Sequence, residues 1–131
     1  MTPAQPPRVV LVVDDAEDCI ATLEFALQPL PGIVIRAAAT AEAALAILAR
    51  ETISAVITDL QLPGMNGLEM IASIREQPRF RSVPIVAVSA NADPSAPEFA
   101  LHSGADVFFS KPFSPSVLRK KLEELLYANQ G

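Results

Sequence analysis

The chain of 131 residues has one cysteine, one histidine, one tyrosine and no tryptophan. With Cys19 alone, no internal disulfide is possible, and the composition fits a reducing compartment such as the cytoplasm. Basic residues are also scarce: ten Lys and Arg stand against 15 Asp and Glu, for a net charge of -5 and a pI near 4.8. Their scatter along the sequence and the acidic balance argue against the clustered positive surface that a nucleic-acid partner requires. No apolar run approaches the roughly 20 residues that span a bilayer, so no membrane partner is expected. Residues 1–7 lack the charged and apolar regions of a targeting signal and read as a short disordered leader.

Half of the residues are hydrophobic, enough for one domain with its own core, and their distribution is periodic. Arg8 opens an uninterrupted apolar run over 9–13, which is the pattern of a strand covered on both faces. A helical stripe follows over 16–28, with Ile20, Leu23 and Leu27 inward, and Pro29 to Gly32 stop it. The same alternation recurs four more times. Strands are predicted over 33–38, 53–58, 85–88 and 105–110. Thr40 caps the second helix, with Leu45 and Leu48 inward. Asn66 with Glu69 caps the third, with Leu68, Ile71 and Ile74 inward. Ser95 with Glu98 is expected to cap a short fourth helix that carries Pro97, ends near His102 and closes at Gly104. Ser114 and Pro115 open the last helix, with Leu118, Leu122 and Leu125 inward, running to about Tyr127. Five strand–helix units with short connections predict an α/β fold, a parallel sheet with helices on both faces, and ligand binding at the carboxyl ends of the strands.

Polar residues gather where those strands end. Asp14 and Asp15 follow the first, Asp59 the third, Ser89 the fourth and Lys111 the fifth. Two unit charges about 4 Å apart repel by roughly 4 kcal/mol at an effective dielectric of about 20, so three converging acids require a cation. A hard ion held by oxygen alone suits Mg²⁺ better than zinc. An ammonium, a hydroxyl and Mg²⁺ together suit a phosphoryl group, with Asp59 as a nucleophile that can form an aspartyl phosphate. Singly, each residue has a plainer reading. Asp14 and Asp15 favour a helix N-terminus, Lys111 could be a solvated turn residue, Ser89 could cap a turn, and Phe108 could be ordinary core. His102 and Cys19 are read as a helix-end residue and a packed thiol.

From Arg8 to Tyr127 these residues resemble the receiver domain of bacterial two-component response regulators. The resemblance rests on Asp14-Asp15, on Asp59 followed by Leu62-Pro63-Gly64-Met65-Asn66-Gly67, on Ser89-Ala90 and on Lys111-Pro112-Phe113. It implies a (βα)5 flavodoxin-like fold with strand order 2-1-3-4-5 and a receiver domain over 8–128; with only the tail 129–131 after the last helix of this sequence, no output domain is expected in it. It implies Asp59 as phosphoacceptor and Asp15, Asp59 and the Gln61 backbone carbonyl as ligands of Mg²⁺ or Mn²⁺, with Asp14 assisting through water. Ser89 and Lys111 would contact the phosphoryl group, and Ser89 and Phe108 would form the switch. Gln61 and Asn91 would tune the phosphoryl lifetime, and the Lys111–Pro112 bond would be cis. The implied partners are a histidine kinase or histidine phosphotransfer protein and a downstream protein that reads the 95–127 face. The implied activity is self-modification with slow self-hydrolysis and no turnover of a separate substrate. A flavodoxin-like electron carrier is disfavoured because the acids after the first strand repel a flavin phosphate. A Mg²⁺-dependent aspartyl phosphatase needs its nucleophile after the first strand and a cap domain. A receiver-like docking module that signals without phosphorylation is the remaining alternative.

Overall fold

The computed structural model describes residues 7–90 and 93–128. Five strands, β1 (Arg8–Val13), β2 (Ile33–Ala38), β3 (Ala55–Asp59), β4 (Ile85–Ser89) and β5 (Val107–Ser110), form one sheet in the order β2-β1-β3-β4-β5. All four pairings are parallel. The helices are α1 (Glu17–Leu27), α2 (Ala41–Arg50), α3 (Gly67–Glu76), α4 (Ala96–Ser103) and α5 (Pro115–Ala128), with a 3₁₀ turn at Pro78–Phe80 before β4.

The continuous apolar runs become central strands because both sheet faces are covered. Every residue of β3 and β4 is buried, whereas β2 and β5 lie at the edges and keep partly exposed residues. Side-chain alternation divides the core. Leu11, Val13, Val56, Ile85 and Ala87 pack with residues of α2, α3 and α4, such as Leu48, Ile71 and Ala100. Val10, Val12, Ile57, Val86 and Val88 pack with residues of α1 and α5, such as Leu23, Leu27, Leu118 and Leu122. Phe108 joins the first cluster and its neighbour Phe109 the second.

Local chemistry sets the helix ends. Thr40 accepts from the Ala43 N–H at 3.1 Å and Asn66 from the Glu69 N–H at 2.8 Å, each side chain closing a first turn. Around α4 the outcome differs from expectation. Ser95 makes no side-chain cap; its backbone is already helical, so its hydroxyl is not presented to the following N–H groups. Asp93 heads the entry turn instead, its Oδ1 accepting from Ser95 N–H at 2.9 Å and its carbonyl from Ala96 N–H at 3.0 Å. At the other end Gly104 takes φ +124°, and Ala105 N–H returns to the Ala100 carbonyl at 3.0 Å. That closure occupies Gly104 and Ala105, so β5 starts at Val107, two residues later than the composition indicated. β3 likewise runs over Ala55–Asp59 and not 53–58, so Asp59 is its last residue.

Arg75, at the C-terminal end of α3, ties several segments together. It donates to the carbonyls of Phe80, Arg81, Val83 and Gly104 and to Asp106 Oδ2, over 2.7–3.1 Å. Asp106 Oδ2 also accepts from the Ile85 N–H at 2.8 Å. The start of β4, the end of α4 and the approach to β5 are therefore held by one guanidinium.

Gly67 opens α3 directly against β3. A Cβ there would run into the Asp59 carbonyl oxygen and lie 2.6 Å from the Leu60 Cα, both of them backbone. Gly67→Ala is expected to lower the unfolding free energy by about 1–3 kcal/mol in urea titration, through overpacking that backbone cannot relieve.

Candidate functional site

Strand order reverses at β1, since β2 lies on one side and β3 on the other. The carboxyl ends of β1 and β3 are therefore neighbours across a switch point, the usual place for a ligand in an open parallel sheet. Asp14 and Asp59 occupy those two ends and are 1% and 7% exposed. Backbone pairing holds both. Asp14 N–H donates to Ala38 O at 3.0 Å, and Leu60 N–H donates to Val88 O at 3.2 Å.

Lys111 arrives from the end of β5, where its N–H donates to the Ser89 carbonyl at 2.9 Å and its bond to Pro112 is cis. Its Nζ donates to Asp14 Oδ2 at 2.8 Å and to Asp59 Oδ2 at 2.7 Å. The remaining carboxylate oxygens are held by backbone, Asp14 Oδ1 by Ala16 N–H at 2.8 Å and Asp59 Oδ1 by Gln61 N–H at 2.9 Å. Ser89 is fully buried at the end of β4, between the strands that deliver Asp59 and Lys111. Phe108 is half-buried on β5.

Not every acid joins this cluster. Asp14 and Asp15 are adjacent at a strand end, so one turns inward and the other outward: Asp14 is buried and Asp15 exposed. Among the described residues, no three His, Cys, Asp or Glu side chains are grouped to hold a metal ion. The ammonium is the cation that the two buried carboxylates share. Asn91 lies outside the described residues, as do the tail 129–131 and the leader apart from Pro7. Gln61 is exposed beside Asp59.

Burial alone would push the Asp14 carboxyl up. Hydrogen bonds from Cys19, Lys111 and the Ala16 N–H overcome it and hold the group below its ordinary value. Burial works against the charge of Lys111 as well, but its hydrogen bonds to Asp14 and Asp59 raise it above the usual lysine value. Cys19 is pushed up to about 11, by burial and then by the adjacent Asp14 carboxylate. The thiol is therefore held in its neutral form at physiological pH and serves as a donor to Asp14. Cys19 also lines a cavity of about 220 Å³ with Asp18, Thr22, Lys111, Pro112 and Phe113. Reading it as a mere packed thiol overlooked this contact; the available signal was its place in the first turn of a helix that begins just after Asp14.

The donors fit a hard cation. Asp14 and Asp59 supply carboxylate oxygens, engaged in this structure by Lys111 and backbone N–H groups, and the exposed Asp15 follows Asp14 in sequence. The geometry can also receive an anion in place of the Lys111–Asp59 contact, because the ammonium already sits at the carboxylate edge.

Comparison with known proteins agrees with this architecture. A family model described as response regulator receiver domain matches residues 10–123. The chain is 32% identical over 123 residues to a chemotaxis protein CheY homolog of Campylobacter jejuni, covering 93% of this chain and 95% of that one. It is similar to a putative response regulator from Chloroflexus aurantiacus of known crystal structure, with a TM-score of 0.86 and 31% identity over 92% of this chain and 98% of that one. Chemotaxis response regulator CheY4 of Vibrio cholerae superimposes with a TM-score of 0.81 and 28% identity, over 91% of this chain and 98% of that one.

The two shifts set a pH window. The Asp14 contribution to stability is present above its ordinary value of 3.8 and is lost as pH falls through the lower folded value. The Lys111 contribution is complete below its ordinary 10.5 and is lost only as pH rises through the higher folded value. Lys111→Met leaves Asp14 buried without its ammonium and is expected to cost on the order of 3 kcal/mol at pH 7. Burial then raises the Asp14 value, so the sign of its pH dependence reverses. Melting temperatures measured from pH 7 down to pH 4 should show the gap between variant and wild type narrowing.

Proposed function

The chain belongs to the response regulator receiver domain family, and from that premise we propose that it is a phosphoryl-accepting switch in a two-component phosphorelay, with Asp59 as acceptor. The observation that carries this reading is the Lys111 ammonium, 2.7 Å from Asp59 Oδ2 at the carboxyl end of the sheet. An Asp59 oxygen attacks the phosphorus of a phosphohistidine. The new P–O bond forms as the P–N bond breaks, and the departing imidazole keeps the bonding pair and takes up a proton. Lys111 moves with its charge from the carboxylate to the phosphoryl oxygens, supplying positioning and electrostatic stabilisation. Asp14, Asp15, Asp59 and the Gln61 carbonyl would hold Mg²⁺ or Mn²⁺, which when bound neutralises phosphoryl charge.

Ser89 and Phe108 form the readout. Ser89 turns towards the phosphoryl group, and Phe108, three residues before Lys111, packs into the space it leaves, biasing the 95–127 surface between two states. Four large apolar side chains on that surface are exposed, namely Phe99, Leu101, Val117 and Tyr127, which supports its use by a downstream protein. The donor is a histidine kinase or histidine phosphotransfer protein. Gln61 and Asn91 set the lifetime of the acyl phosphate, and hydrolysis regenerates the same chain, so no separate substrate is turned over. The receiver spans 8–128 and works in the cytoplasm; among the described residues no helix is long and apolar enough to cross a membrane.

Incubation with Mg²⁺ and a small acyl phosphate or phosphoramidate donor should add one phosphoryl group by intact mass. The adduct should be lost in mild base and absent from Asp59→Asn. A folded, Mg²⁺-binding protein that stays unmodified overturns the proposal.

A further inference from the structure

The end of the sheet opposite Asp59 carries features that the phosphorylation site does not use. Two neighbouring cavities, of about 280 and 320 Å³, share Ile53, Arg79 and Val83 and so form one groove along the amino ends of β1, β3 and β4. Arg8 lines its first half, Arg50 its second, and Arg79 lies where the halves meet. The only carboxylate among the lining residues is Glu51, and Arg36 already engages it at 3.0 Å. Three guanidinium groups along one groove are conspicuous on a chain of net charge -5.

Two of these groups are set in place by aromatic rings. The Arg8 guanidinium lies 4.8 Å from the centre of the Tyr127 ring, and that of Arg79 lies 4.5 Å from the centre of Phe80. Stacking fixes the plane of a guanidinium and leaves its N–H edges for planar acceptors, which favours paired bonds to carboxylates. Arg79 also donates to the Leu48 carbonyl at 3.1 Å, using one of its five N–H groups and fixing its position further. Between the charges Val83, half-buried and common to both cavities, supplies an apolar contact above the buried Ile53, Phe80 and Leu126, while Thr52, Ser54 and Ser82 add polar groups to the lining.

We propose that this groove docks an extended segment of a partner protein in which acidic and apolar side chains alternate. Charge complementarity selects the acids, and the spread of the guanidinium groups over two adjoining cavities, with Val83 between, selects a chain over a compact dianion, whose charge would need the three groups to converge. The exposed acids Asp15, Glu17 and Asp18 lie at the far end of the strands, so an acidic segment is attracted to one end and repelled from the other. Docking here leaves the carboxyl-end site open.

The probe is a dye-labelled decapeptide alternating Glu and Leu, followed by fluorescence anisotropy with the full chain and by amide chemical shifts. Binding is expected to weaken with added salt, to perturb Ile53, Ser54, Ser82 and Val83, and to be absent for the matching Lys and Leu peptide. Arg50→Glu and Arg79→Glu should each weaken binding about tenfold. Because Arg79 contributes packing of its own, circular dichroism monitors its fold, and the exposed Arg50 decides if the Arg79 variant unfolds. The proposal is overturned by equal binding of the Lys peptide, by shifts confined to the surface around Phe99, Leu101 and Val117, or by unchanged affinity in Arg50→Glu. It is overturned as well by sedimentation showing that the groove instead takes the acidic end of a second copy.

Discussion

The contact on which the site depends is one ammonium held between two buried carboxylates. Asp14 and Asp59 come from strands on either side of the point where the sheet reverses its order, and each would be costly to bury alone. Lys111 makes their proximity tolerable, with Nζ 2.8 Å from one and 2.7 Å from the other. Its own reach is set by β5, paired to β4 so that its N–H meets the Ser89 carbonyl. The chemistry of the carboxyl end is thus a product of register. A shift of one residue in β3 or β5 would turn Asp59 or Lys111 to another face.

The helices serve that register in different ways. Asn66 caps α3 and Gly67 sets its first turn against the β3 backbone, so the loop 60–66 that carries Gln61 folds back to the end of β3, where the Gly67 N–H meets the Leu60 carbonyl at 2.9 Å. By contrast α4 has eight residues, an entry turn made by Asp93 and a glycine-closed end. It is the shortest of the five helices described and packs beside β5, which carries Phe108 and leads to Lys111.

Most of this was readable from residue order. Unbroken apolar runs marked the covered strands, and the Thr40 and Asn66 caps marked helix starts because their geometry depends only on neighbours in sequence. The five-unit alternation required a parallel sheet, and the polar strand ends lay on one edge of it. What escaped was set by contacts between distant segments. Ser95 had the composition of a cap but not the backbone, since Asp93 had already formed the turn. The resemblance gives Asp15 the direct metal contact and Asp14 a role through water, and residue order alone does not reveal that Asp14 is the buried partner of Lys111 while Asp15 is exposed. Cys19 touches Asp14 because α1 starts tightly after β1. Nothing in composition indicated that Arg75 would collect four carbonyls and a carboxylate.

That guanidinium bears on how the molecule can be altered. Carbonyl oxygens do not titrate and cannot accept a phosphoryl group, and arginine keeps its proton throughout the physiological range. Four of the five partners of Arg75 are of this kind. At the other end of the same strands a lysine is held by carboxylates, groups that protons, metals and phosphorus can all modify. The two ends of these strands are therefore held in different chemical terms: the Lys111 end through groups whose charge and bonding chemistry can alter, the Arg75 end chiefly through groups that it cannot.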